Sequence, residues 1–155
     1  ARVIGLDLET IARGASKTQP VEHRLQLLSS PGGVTVIDDA FNANPVGAKG
    51  AMEVLRSFAG GRKIVVTPGF VEMGAKEAEC NRALGEQIAE AADIAVLVGK
   101  RHTAPIAEGL RAKGFGEENL HVVASLDEST RLLGGMLQPG DVVLYENDLP
   151  DNYQE

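Results

Sequence analysis

Val34 to Pro45 reads VTVIDDAFNANP, an apolar β run that ends in two carboxylates and then in two asparagines and a proline. A carboxylate at such a strand end can accept hydrogen bonds from ribose hydroxyls or help hold Mg²⁺ through water. Successive strand residues point to opposite faces, so Asp38 and Asp39 are not expected to meet one ligand together, and Asp39 is expected to lead the turn. The competing assignment is that one aspartate caps a loop and the other is solvated. Asn42 and Asn44 carry amides suited to a purine edge, while Asn44 also stands where a helix cap belongs, with Pro45 at the first helical position. His23-Arg24 precedes another β run, where a planar guanidinium could reach a phosphate or simply be solvated. Thr67 to Gly74, reading TPGFVEMG, follows a strand and has the glycines to shape a pocket, with Glu72 available to an ammonium group.

These residues need a sheet to hold them. Val34 to Asp38, Lys63 to Thr67, Ile94 to Val98, His121 to Val123 and Asp141 to Tyr145 read as strands. They are solidly apolar rather than alternating, as in a sheet covered on both faces. Four helical patterns lie between them. One is capped by Asn44, one runs from about Lys76 to Ala92, one begins near Thr103, and one opens with the capping-box pattern Ser125-Leu-Asp-Glu128. The expected fold is a single α/β domain, doubly wound and Rossmann-like, with a mostly parallel sheet of five to six strands flanked by helices. Such sheets bind ligands at the carboxyl ends of their strands. Residues 1–30 read differently, as a lead-in segment with a short helix over Leu6 to Ala12, a hinge and an edge strand from His23 to Leu28. Residues 31–155 form the α/β domain.

Composition narrows the function. The 155 residues are 43% hydrophobic and 24% charged, ordinary globular proportions, and the net charge of −7 argues against nucleic acid or an anionic membrane as a partner. A lone cysteine, Cys80, gives no sign of an oxidising compartment, so a cytoplasmic protein is expected. Cys80 falls on an apolar helical stripe and reads as core. The histidines at 23, 102 and 121 have no metal-ligand spacing. No G-x-x-x-x-G-K-[ST] and no G-x-G-x-x-G after a strand occurs, so the phosphates of a nucleotide would have to be gripped by another domain. The basic stretch Gly99-Lys100-Arg101-His102 falls at a strand end and reads as ligand edge or as solvated loop. A response-regulator receiver would need an aspartate where Gly99 stands.

GVTVIDDAFNANP, with EHRLQ upstream and VVTPGFVEMG downstream, resembles the C-terminal domain of Mur ligases, over roughly Val21 to Asp151. Within that family the chain is most similar to the member that adds D-alanyl-D-alanine to UDP-N-acetylmuramoyl-tripeptide. The resemblance implies a three-domain enzyme whose central domain holds most of the ATP and Mg²⁺ while this domain, the partner of the central and N-terminal domains, closes over the nucleotide. By residue match, Arg24 would approach the phosphates, Asp39 the ribose or metal-bound region, and Asn42 and Asn44 the adenine. Pro68, Gly69, Glu72 and Gly74 would border the incoming dipeptide. No catalytic residue is expected in this domain, and alone it would be inactive. Many relatives carry Lys-Gly-Ser after the last strand where this chain has Tyr145-Glu-Asn-Asp148. A stand-alone α/β ligand-binding module is the alternative.

Overall fold

The computed structural model of the chain describes residues 2–19, 21–30, 32–41 and 43–148. The apolar runs become five parallel strands, β2 (Thr35–Asp39), β3 (Lys63–Thr67), β4 (Ile94–Val98), β5 (Leu120–Val123) and β6 (Val142–Glu146). A shorter strand, β1 (Gln26–Ser29), joins the edge antiparallel, and the order across the sheet is β1-β2-β6-β3-β4-β5. The chain thus steps outward from β3 to β5 and returns to insert β6 between β2 and β3. This reversal requires helices on both faces if crossovers keep their right-handed sense.

They are distributed unequally. Helices α2 (Pro45–Ser57), α3 (Glu77–Ala91) and α4 (Ala104–Ala112) cover one face, where Met52, Leu55, Leu84, Ile88, Ile106 and Leu110 pack with Ile37, Val65, Leu97 and Leu144. On the other face α5 (Leu126–Met136) packs Leu133 against Ile64, Val66, Ile94, Val96, Val123 and Val143. The fold is the expected doubly wound α/β domain, with three crossover helices on one side and one on the other. Helices α3 and α4 approach closely because Gly85 and Gly109 face each other's helix. A Cβ on Gly85 would collide with the Ile106 carbonyl, and one on Gly109 with that of Arg82.

Local chemistry explains the two places where elements shift by more than one residue. The helix expected from Leu6 to Ala12 is α1 (Leu8–Ala15), because Asp7 caps it, its side chain accepting from the Thr10 amide at 2.8 Å. The strand expected from His23 begins only at Gln26, since His23 (φ 58°) and Leu25 (φ 47°) are left-handed and cannot join a ladder.

The amino-terminal edge of the sheet is tightly partnered. Asp141, 2% exposed, accepts from Arg62 Nη2 at 2.6 Å, Arg62 Nε at 3.1 Å, the Arg62 amide at 3.2 Å and the Gln138 amide at 2.8 Å. Burial alone would raise its pKa, but these donors outweigh that and hold the carboxyl below its ordinary value.

Candidate functional site

The carboxyl ends of β2, β3 and β6 form the opposite edge, and the pleat of β2 decides what each aspartate can do. Asp38 lies on the face of Val36 and Tyr145, and lines a cavity of about 650 Å³ where α5 leaves the sheet bare. Asp39 lies on the other face with Ile37, opposite Glu146 in the strand register. The expected separation of the two carboxylates holds, and it is Asp38 that reaches the cavity.

Both aspartates grip the turn before β1. Asp38 Oδ2 pairs with His23 Nδ1 at 2.8 Å, and its Oδ1 accepts from the Ala40 amide at 3.2 Å. Asp39 Oδ1 accepts from the Leu25 amide at 3.0 Å. Between His23 and Leu25, the guanidinium of Arg24 sits 4.6 Å from the centre of the Phe41 ring, and the Phe41 amide donates to the His23 carbonyl at 3.1 Å. Arg24 and Asp39 are thereby brought to one corner of the edge. Asn44 caps α2, its Oδ1 accepting from the Val46 amide at 3.1 Å and the Gly47 amide at 3.0 Å. Asn42 lies outside the described residues.

The loop after β3 is built from the inside. Pro68 and Gly69 are buried, Glu72 and Gly74 exposed, and of these four only Glu72 lines the cavity. Gly69 is left-handed (φ 83°), and a Cβ there would strike Asn81 and Ile106. Asn81, itself buried, clamps Phe70 with both amide atoms, accepting from its N–H at 2.7 Å and donating to its carbonyl at 2.9 Å.

Sequence reasoning missed Asn147. Left-handed at φ 67°, it donates through Nδ2 to the Gly69 carbonyl at 2.7 Å and accepts at Oδ1 from the Ala43 amide at 3.0 Å. One side chain thus ties together the loops after β2, β3 and β6. Its only local signal is an asparagine just past a strand, a residue type that tolerates this conformation. Glu146, just before it, is fully buried beside Asp39, and no donor among the described residues reaches either carboxylate oxygen. Burial pushes its pKa up to about 8, with the negative charge of Asp39 and a hydrogen bond shared with that carboxylate adding to the shift, so Glu146 carries a proton at neutral pH.

The cavity itself is acidic and half apolar. Asp38, Glu72 and Asp148 supply carboxylates, Leu28, Val36, Ala40, Phe41, Val71 and Leu126 supply apolar wall, and His23, Tyr145 and Asn147 complete it. Burial raises the pKa of the Tyr145 phenol. The basic stretch at the end of β4 does not line this cavity; His102 Nδ1 meets Glu77 Oε1 of α3 at 3.1 Å. Among the described residues no group of three or more His, Cys, Asp or Glu could hold a metal ion, and no helix is long and apolar enough to cross a membrane.

Known proteins with this sequence pattern share the architecture. The family described as Mur ligase, glutamate ligase domain, matches residues 23–145. The UDP-N-acetylmuramoyl-tripeptide–D-alanyl-D-alanine ligase of Mycobacterium bovis is 31% identical over 160 residues, covering 90% of this chain and 31% of that protein. The UDP-N-acetylmuramoylalanine–D-glutamate ligase of Pelotomaculum thermopropionicum is 29% identical, covering 93% of this chain and 29% of that protein. Among solved structures, MurF ligase from Thermotoga maritima in complex with ADP superposes with a TM-score of 0.73 at 21% identity, over 95% of this chain and 32% of that one. The chain therefore spans about a third of the length of these relatives. By the match over residues 23–145, the chain belongs to the Mur ligase, glutamate ligase domain family.

Proposed function

We propose that this chain is the C-terminal domain of a cytoplasmic, ATP-dependent ligase of peptidoglycan precursor synthesis that joins D-alanyl-D-alanine to UDP-N-acetylmuramoyl-tripeptide. Residues 1–30 are the lead-in from the rest of the ligase and 31–155 the domain proper. In the reaction, the tripeptide carboxylate attacks the γ-phosphorus of ATP, releasing ADP and leaving an acyl phosphate. The dipeptide amine then attacks that carbonyl, phosphate departs, and an amide remains. This domain contributes by closing over the nucleotide. Arg24 meets the phosphates, Asp39 the ribose or metal-bound region, and Asn42 and Asn44 the adenine. In keeping with the family resemblance, Mg²⁺ and the main phosphate grip are assigned to the central domain of the ligase.

The observation that carries the choice of acceptor is the charge of the cavity. Related ligases add either D-glutamate or D-alanyl-D-alanine. A pocket in which Glu72 and Asp148 face an apolar wall, with Asp38 committed to His23 and the Ala40 amide, attracts an ammonium group and small aliphatic side chains, and it repels the second carboxylate of D-glutamate. Pro68 and Gly69 shape this acceptor site from beneath, Glu72 contacts the ammonium, and Gly74 turns the loop away.

The test uses the intact ligase. Glu72→Gln is expected to raise KM for D-alanyl-D-alanine roughly tenfold while KM for ATP stays within about twofold, and D-glutamate is expected to be a negligible acceptor. Efficient use of D-glutamate would overturn the acceptor assignment. Micromolar binding of ATP by the 155-residue chain alone would favour a free-standing binding module.

A further inference from the structure

The two residues flanking Arg24 are both in a backbone conformation that ordinary side chains avoid. His23 has φ 58° and Leu25 φ 47°, each costing about 1–2 kcal/mol relative to right-handed or extended backbone. Two neighbouring penalties of this kind persist only where surrounding contacts over-determine them. Here the contacts are identified. The His23 ring is held by Asp38, the Leu25 amide by Asp39, and the His23 carbonyl by the Phe41 amide. Asp38 has no oxygen left idle, since Oδ2 meets His23 and Oδ1 the Ala40 amide. Its presence in the cavity wall is thus a consequence of holding the turn.

Between these two anchored residues, Arg24 is exposed and its guanidinium stacks on Phe41. An arginine so stacked loses rotamer freedom beforehand while its edge N–H donors stay available, which lowers the entropic cost of meeting a planar or tetrahedral oxyanion.

We infer that Asp38 and Asp39 are positioning residues for Arg24: through His23 and the Leu25 amide they hold the 23–25 turn left-handed and present the guanidinium to a phosphate oxygen. The target of Arg24 rests on the ligase function proposed above; the tether itself does not. Consecutive aspartates suit this task because their alternation sends one carboxylate to each side of β2. Together they clasp a turn that crosses the strand end.

Two measurements separate the tether from its purpose. In the 155-residue chain, the Arg24 side-chain protons are expected to be shifted upfield by the Phe41 ring, a shift that Phe41→Leu removes. Asp38→Ala should abolish most of that shift, and Asp38→Asn, which can still bond the imidazole, should retain it; an unchanged shift in Asp38→Ala overturns the tether. In the intact ligase, Asp38→Ala should raise KM for ATP roughly five- to tenfold, with KM for the dipeptide within about twofold. Adding it to Arg24→Ala should cost nothing further, because the two changes break one interaction. A raised KM for the dipeptide instead, or fully additive effects, would overturn the positioning role. If Arg24→Ala alone leaves KM for ATP unchanged, the phosphate contact falls, whatever the resonance of Arg24 shows about the tether.

Discussion

Strand β6 is bracketed by two buried acids, Asp141 just before it and Glu146 at its last position, that live under opposite conditions. At its start, Asp141 receives four donors, two from the Arg62 side chain and two from backbone amides, and is held ionised. At its end, Glu146 is as deeply buried, meets no donor at either oxygen among the described residues, and keeps its proton beside Asp39. The contrast extends to the backbone. Among the described residues, the four non-glycine residues with positive φ, His23, Leu25, Glu72 and Asn147, all lie at the carboxyl edge. The amino edge is built for stability, with its polar groups satisfied. The carboxyl edge carries strain and an unmet acid, as expected where ligand contacts take precedence over packing.

The largest effect should come from breaking the satisfied end. Asp141→Ala leaves Arg62 and two amides without their acceptor and is expected to cost about 3 kcal/mol of stability in denaturant unfolding. A loss below about 1 kcal/mol would show that the amino edge is no better braced than its counterpart. At the carboxyl edge the sign of interest is functional. Asp39→Ala is expected to slow ligation by the intact enzyme about 100-fold, equivalent to about 2.7 kcal/mol, with the domain still folded. Near-normal turnover would remove Asp39 from the site.

Glu146 gives the subtlest distinction. Its pKa rises from an ordinary 4.5 to about 8 on folding, so the folded domain holds a proton that the unfolded chain has released. The associated stability is fully present below pH 4.5 and is lost progressively as the pH rises through 8. Glu146→Gln should flatten the profile, as read by urea midpoints at several pH values. A wild-type profile that is already flat would mean that a hydrogen-bond donor reaches the carboxylate and keeps it ionised.

How much of this the sequence disclosed depends on the range of the cause. Strands β3 and β4 match their expected bounds residue for residue, because unbroken β-branched runs need no distant information. The Asn44 cap and the Ser125 cap were equally legible, since cap and amide lie within three residues of each other. Alternation also predicted that Asp38 and Asp39 would part. Which of them meets the cavity was not legible, because that depends on α5 covering only part of its face. Asn147 was hidden for a related reason. Its contacts with Ala43 and Gly69 exist only because β6 lies between β2 and β3, an order that no local pattern records.

That insertion also sets a timetable for the birth of the domain. Of the described strands β6 is the last to leave the ribosome, yet it is the central rung joining β1-β2 to β3-β4-β5. Until it arrives, two half-sheets hang on one nascent chain with a gap between them, each exposing an unpaired inner edge. Closure then demands contacts more than a hundred residues apart, the slowest kind to form. A chain stalled before Val142 would present two sticky edges and no way to cover them.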